Sequence, residues 1–326
     1  MKIASDIAKV VMRTLTRAVS GPIAPDGTPS KKVAIIVPMG TKNELSPDEE
    51  ISLRQLRHYF GSYDKFLIVP DGSKLWLPDF TVMPFPRRFF GSAAAHGRML
   101  NSPTFYQEFR DYEFIFFHHL DSLAFSDQLA EWCATDIDYI GPPWINCPDS
   151  PWVDRPRVGN GGFTLLRQSA AFKVFENRYR DKPVTWWLDL FTQNATSGVI
   201  TVLEKLEHVF PFSLVARRLM KEWRETEDPC AHNRNNDVFW SDMAIRYNPD
   251  FKVASLEDGL RFAFETSPRT CLEMNGGKMP FGCHAWGRYD RAFWEPHLVP
   301  VAAEKVVRVP VEKPEGEYFP AVTRTA

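Results

Sequence analysis

The 326-residue chain lacks the short signatures by which many enzyme classes are read. No GxGxxG follows a candidate strand, and there is no Walker loop, HExxH or GxSxG. Dinucleotide-dependent redox, P-loop, zincin and serine-hydrolase chemistry are therefore not indicated. Cysteine is scarce and unpatterned. Cys133, Cys147, Cys230, Cys271 and Cys283 are an odd set without a CxxC pair, which speaks against a disulfide framework and a structural zinc site and for a reducing compartment. Charge of one sign is also missing: a formal net charge of −2 supplies no long-range field for a polyanion, so nucleic acid is not expected as a partner. No apolar run reaches the length of a transmembrane helix, and the N-terminus lacks the uninterrupted apolar stretch of a secretory signal. The expected location is cytoplasmic, and the sequon at Asn194 reads as incidental.

What is present is enough to build a core. Hydrophobic residues make up 44% and charged residues 25%, the balance of a folded soluble protein, and one large α/β domain fits the length. The 25 Phe and 10 Trp exceed ordinary packing needs, and aromatic faces suit sugar rings and nucleobases, although most such residues belong to cores.

Residues 2–19 carry Ile3, Ile7, Val11, Leu15 and Ala18 at helical spacing, with Lys2, Lys9, Arg13 and Arg17 elsewhere on the turn. This basic amphipathic helix either packs on its own domain or a partner, or docks peripherally on a membrane surface. Gly and Pro in 21–30 mark a linker, so residues 1–30 stand apart from a main domain at 31–299. Within it, the runs at 32–39 and 65–70 read as strands buried on both faces, with a helix at 53–60 between them. A short strand at 81–84, helices at 93–99 and 103–109 and an apolar strand at 112–118 continue the alternation. The expected fold is a doubly wound, mainly parallel sheet flanked by helices, whose ligands lie beyond the carboxyl ends of the strands. Residues of about 176–227 read as a helical insertion, with Trp186 and Trp187 early and Arg217, Arg218, Lys221 and Arg224 late. The stretch 300–326 reads as an extended tail.

Four segments carry polar groups where chemistry is expected. In FIFFHHLDSLAF, residues 114–125, a buried strand runs out into His118, His119 and Asp121; the acid suits a metal or diphosphate-bound cation, or a helix cap. In VGNGGFTLLR, residues 158–167, Asn160, Gly161 and Gly162 precede a strand, and the glycines serve either close backbone approach to a ligand or a bulged turn. Asn235, Asn236 and Asp237 open an aromatic helix, where the acid is either a cap or a general base. In PFGCHAW, residues 280–286, His284 lies between Gly282 and Trp286.

These segments, in this order, resemble an uncharacterised family of glycosyltransferase domains with the GT-A fold. The resemblance runs from Val33 to Trp294 and takes in RFFGSAAAHGRML at 88–100, IDYIGPPW at 137–144 and EDGLRFAFE at 257–265. It implies a GT-A-like fold and an inverting transfer of sugar from a nucleotide-sugar donor to a hydroxyl of a glycan or glycoconjugate acceptor, as in polysaccharide biosynthesis. Asp121 matches the last acid of the family's DxD motif, here His119-Leu120-Asp121, and His284 matches the late metal-site histidine. The implied cofactor is a divalent cation, Mn2+ or Mg2+, with metal independence through Arg98 as the alternative. Asp237 matches the acceptor-side base. Pro38, Gly40, Thr41 and Asp71 would lie near the nucleotide, Asn160, Gly161 and Gly162 beneath the donor sugar, and Trp144 or Trp152 against the acceptor. The lone acid in HLD also leaves open a non-catalytic carbohydrate-binding or scaffolding protein. A nucleotidyltransferase would want a glycine-rich basic loop after the first strand, where PMGTKNELS has only Gly40 and Lys42.

Overall fold

A computed structural model describes residues 29–180, 217 and 235–300. The amphipathic helix expected at 2–19, nearly all of the insertion expected at 176–227 and the tail beyond residue 300 lie outside the described residues.

The first strand, β1 (Lys31–Pro38), buries five consecutive residues from Val33 to Val37, as a central parallel strand must. Helix α1 (Pro47–Phe60) begins six residues earlier than the expected 53–60. Its start is a capping box: the Ser46 hydroxyl accepts the Glu49 N–H, the Glu49 carboxylate accepts the Ser46 N–H at 2.8 Å, and Pro47 needs no N–H partner in the first turn. Strands β2 (Asp64–Pro70) and β3 (Thr81–Phe85) follow, and Pro84 is tolerated because β3 is the sheet's outermost strand. Helices α2 (Ala93–Leu100) and α3 (Pro103–Gln107) lead into β4 (Tyr112–His118).

Beyond β4 the elements shorten. Two-residue strands β5 (Leu123–Ala124), β6 (Tyr139–Ile140), β7 (Pro143–Trp144) and β8 (Arg157–Val158) precede β9 (Phe163–Arg167) and helix α4 (Gln168–Arg180). Helix α5 starts over Asn236–Val238, widens to a π-helical turn over Phe239–Met243 and finishes over Ala244–Tyr247. Helix α6 (Leu256–Phe262), β10 (Ala263–Phe264), helix α7 (Pro268–Met274) and β11 (Gly282–Cys283) close the described fold apart from short helical turns.

The main sheet has the order β3-β2-β1-β4-β9-β6. Strands β3, β2, β1 and β4 are parallel and β9 runs antiparallel to β4, so the mainly parallel α/β sheet holds. Strand order reverses between β1 and β4, and the crevice at their carboxyl ends is where sheets of this type seat ligands. Side-chain alternation along β4 serves both faces. Phe116 packs edge-on against Phe60 of α1 and Phe163, while Phe117 stacks on Phe105 of α3. A small second sheet, β10-β11-β5, lies over a separate apolar cluster that includes Phe264, Trp286 and Trp294. The Gln55 side chain of α1 ties the two together by donating to the Ala124 carbonyl at 2.9 Å.

Phe163 joins both sheets. Its ring meets Phe116, Phe262 and Phe281, and a methyl group on Gly282 would come within 2.1 Å of it. Phe163→Ala is expected to cost about 3–5 kcal/mol, read as a lowered urea midpoint at unchanged slope.

Candidate active site

The second sheet assembles the site by register. In β10 and β11, which run parallel, Phe264 pairs with Cys283, so the next residues, Glu265 and His284, emerge side by side. Antiparallel pairing sets Cys283 against Leu123 of β5, two residues after Asp121. His284 therefore stands between two carboxylates, with Nδ1 3.1 Å from Glu265 Oε1 and Nε2 3.3 Å from Asp121 Oδ1. Asp121 leads through a tight turn into β5 rather than into a helix, so it is not a helix cap. Ala285 follows in the left-handed region at φ 53°, which turns the chain so that the Trp286 N–H reaches the Asp121 carbonyl at 3.1 Å.

The main sheet supplies the facing wall. His118 of β4 pairs with Phe163 of β9, which places His119 beside Gly162, and the His119 N–H donates to the Gly162 carbonyl at 2.8 Å. His118 faces the core and is fully buried, whereas His119 turns to the site. Its ring centroid is 5.7 Å from that of His284. One ligand atom each from His119, Asp121 and His284 lie within 4.8 Å of one another, a spacing that a single divalent ion can bridge. The donor set fits a metal: two imidazoles and a carboxylate converge, and Glu265 backs His284.

Asn160 locks the turn between them. Its side-chain Oδ1 accepts the Gly162 N–H at 2.8 Å and its side-chain Nδ2 donates to Glu265 at 2.9 Å. Gly161 and Gly162 avoid positive φ; what they provide is room. A Cβ on Gly161 would lie 2.3 Å from Asp237 Oδ1, and one on Gly162 2.1 Å from His284 Nε2. The helix-opening acid and the late histidine thus rest on consecutive glycines. Asn235 is the cap of α5, its side-chain oxygen accepting the Asp237 N–H at 2.9 Å, which leaves the Asp237 carboxylate out of the capping role.

Electrostatics follow from this crowding. Burial opposes charge on His284, but hydrogen bonds to Asp121 and Glu265 override it and raise the ring to about 10. Burial also works against ionised Asp121, yet His284 holds this half-exposed carboxylate below the usual range. His119 is pushed by burial down to about 3, so it is a neutral nitrogen donor. Burial, reinforced by the charge of Glu265, lifts Asp237 to about 7.

The remaining candidates lie around this centre. Pro38, at the end of β1, is half-buried, and Gly40, Thr41 and Asp71 are exposed beyond the ends of β1 and β2. Arg98 of α2 is half-buried and donates to the Arg88 carbonyl at 3.1 Å. Trp144 is buried, packed on Gly159 and Arg157, and Trp152 meets it edge-on with 60% of its own surface exposed. A cavity of about 300 Å³ is bounded by Asp149, Ser267, Arg269, Tyr289 and Asp290. Glu265 had no role in the sequence reading, nor had His96 of α2, whose ring lies 5.6 Å from that of His119. The signal for Glu265 was its place directly after the strand-like FAF, the same place that His284 takes after its own strand.

The model of a family described as proteins of unknown function (DUF5672) matches residues 79–284, more than half of the chain. The chain belongs to this family. The matched span runs from the turn before β3 to His284 and contains every residue of the central cluster. Among solved structures, this DUF5672 chain is similar to the apo-form glycosyltransferase GlyE of Streptococcus pneumoniae TIGR4, at 10% identity and a TM-score of 0.39 over 83% of this chain and 61% of that one. It is also similar to the galactosyltransferase LgtC in complex with donor and acceptor sugar analogs, at 11% identity and a TM-score of 0.38 over 83% and 98% of the two chains. A third, the bifunctional IspDF of Campylobacter jejuni, shares 11% identity with a TM-score of 0.30 over 54% and 55%. The chain spans 61% of the length of GlyE. No curated protein matches the chain. No helix among the described residues is long and apolar enough to cross a membrane.

The raised Asp237 has a consequence for stability. Between about pH 4 and pH 7 the folded chain holds a proton there that the unfolded chain has lost, so this group makes stability fall as pH rises through that window. Asp237→Asn should therefore melt above the wild type at about pH 8 and level with it near pH 4. An equal offset at both pH values would show that Asp237 titrates normally.

Proposed function

We propose that the protein is a glycosyltransferase, moving a sugar from a nucleotide-sugar donor to an acceptor hydroxyl with inversion at the sugar carbon. The observation that carries this reading is the placement of Asp237 and His284 on consecutive glycines. Sugar transfer needs a cationic site for the departing diphosphate and a base for the incoming hydroxyl, a few ångströms apart across one sugar. The turn at Gly161-Gly162 seats the two side chains on adjacent residues, Asp237 against Gly161 and His284 against Gly162.

A divalent cation held by His119, Asp121 and His284 would neutralise the charge that develops on the leaving diphosphate. The chain's own residues do the rest. Glu265 orients His284, and Asn160 orients Glu265 while fixing the glycine turn on which the sugar rests. The nucleotide lies in the crevice between β1 and β4, with Pro38, Gly40, Thr41 and Asp71 at its base and ribose end and Arg98 toward the phosphates. Asp237 accepts the acceptor's proton as that oxygen attacks. A carboxylate with a pKa near 7 is well matched to this step, because about half of it is ionised at neutral pH and it is basic enough to take the proton.

The acceptor approaches from the side of Trp152, whose exposed ring can stack on a sugar while Trp144 supports it from beneath. Arg157, bonded to Asp242 at 3.2 Å, braces this pair against α5. The polar cavity at Asp149, Ser267 and Tyr289 offers hydroxyl and carboxylate partners for a further part of the same glycan.

The test is turnover of a panel of nucleotide sugars by the purified chain, with Mn2+ or Mg2+ and oligosaccharide acceptors. Nucleoside diphosphate release and a product of inverted anomeric configuration by NMR are expected. Asp237→Asn should lower turnover by ~10²–10⁴ with donor affinity retained. Full activity of that variant, or a product with retained configuration, removes the assignment of Asp237 as base.

A further inference from the structure

Three polar residues open α5, and their side chains part. Asn235 turns back onto its own helix, where it accepts the Asp237 N–H at 2.9 Å. Asn236 and Asp237 both reach the glycine turn. A Cβ on Gly161 would lie 2.3 Å from Asp237 Oδ1 and 2.9 Å from Asn236 Nδ2, so carboxylate and carboxamide stand over the same point of the floor. Asn236 is half-buried, and its side chain makes no hydrogen bond among the described residues.

A carboxamide in that place suits a sugar hydroxyl. Its nitrogen donates and its oxygen accepts, and a hydroxyl does both in return. Being neutral, it adds no charge beside a carboxylate whose ionisation is already opposed by burial and by Glu265. The helix does not need it, since the capping bond comes from Asn235.

The order of the turn says which sugar it meets. His284 lies against Gly162, whereas Asn236 shares Gly161 with Asp237, one residue further from the histidine. With Asp237 as base, that is the acceptor's end. Further along the same helix, Asp242 holds Arg157 at 3.2 Å, and Arg157 lies over Trp144, the ring that meets the exposed Trp152. One helix therefore carries the base, the carboxamide and the brace of the aromatic pair.

We propose that Asn236 determines acceptor specificity: its carboxamide binds the hydroxyl adjacent to the one that Asp237 deprotonates. The chain then takes an acceptor with two neighbouring free hydroxyls, as on a sugar ring, in preference to an isolated alcohol such as a serine or threonine side chain. The inference rests on the glycosyltransferase reading and names the acceptor class within it.

The experiment gives the full chain a panel of nucleotide sugars with Mn2+ or Mg2+, and follows nucleoside diphosphate release. The acceptors are methyl hexopyranosides, their monodeoxy counterparts and a serine-containing peptide. Loss of the hydroxyl beside the attacked one should lower kcat/KM by about 10- to 100-fold, and the peptide should be a poor acceptor. Asn236→Ala should raise KM for the parent glycoside and abolish its advantage over that deoxy counterpart, a coupling that a merely structural role would not produce. Asn236→Gln, which keeps the carboxamide at a longer reach, should recover part of the preference. If Asn236→Ala disturbs the far-ultraviolet circular dichroism, Asn236→Ser is read in the same way. A deoxy glycoside as good as its parent, a preferred peptide, or a preference unchanged in the folded variant overturns the inference and leaves the transferase reading in place. If no donor is turned over, the transferase reading falls, and saturation-transfer NMR of the same glycosides decides for Asn236. A difference between parent and deoxy glycoside that vanishes in Asn236→Ala keeps it as a sugar contact, and equal signals remove it.

Discussion

The side-chain amide of Asn160 holds together two parts of the chain more than a hundred residues apart. One end closes the Gly161-Gly162 turn that carries His119 and supports Asp237, and the other fixes the carboxylate of Glu265 behind His284. Asn160 is itself buried, and so is Glu265, so the bond between them is shielded from water and costly to leave unmade. It is the direct polar link between the glycine floor and the residues that flank the histidine, beside the aromatic contacts of Phe163. The separation between Asp237 and His284 depends on that tie, and so does any chemistry that needs both.

The surrounding packing serves the same requirement. Phe163 immediately follows the glycine turn and inserts between Phe116, Phe262 and Phe281, so the main sheet and the small sheet share one aromatic layer directly beneath the site. Close packing of rings transmits little give, which suits a centre whose members must hold their spacing. The titratable groups above that layer are far from their ordinary values: His284 is raised, while His119 and Asp121 are lowered. Such perturbations are unfavourable for a fold that needs only stability, and they cluster where function uses them.

The first half of the fold was legible because its strands are long and buried on both faces. The runs that form β1, β2 and β4 are apolar for most of their length, and each falls within a residue or two of its expected bounds. The start of α1 was missed because apolar periodicity begins only at Ile51, while the capping box at Ser46 and Glu49 is a polar signal. The second half resisted for a different reason. Strands β5, β10 and β11 are two residues each, too short for any periodicity, and the contacts that define them are long-range.

The same limit explains which site residues could be read. Asp121, Asp237 and His284 stand in motifs with polar or glycine neighbours, so the sequence marks them locally. Glu265 is marked only by its place after the short FAF run, and its meaning comes from the register that sets Phe264 beside Cys283. His119 was visible only as the residue standing where a second acid is usual. Its backbone tie to Gly162 and its closeness to His284 make it a member of the cluster in its own right. A histidine where the resemblance would place an acid lowers the negative charge of the centre while keeping a possible metal ligand. Under the proposed transferase reading, a centre with fewer carboxylates would repel an anionic donor less. A centre with one acid instead of two relies more on geometry than on charge, and Glu265 and Asn160 hold that geometry.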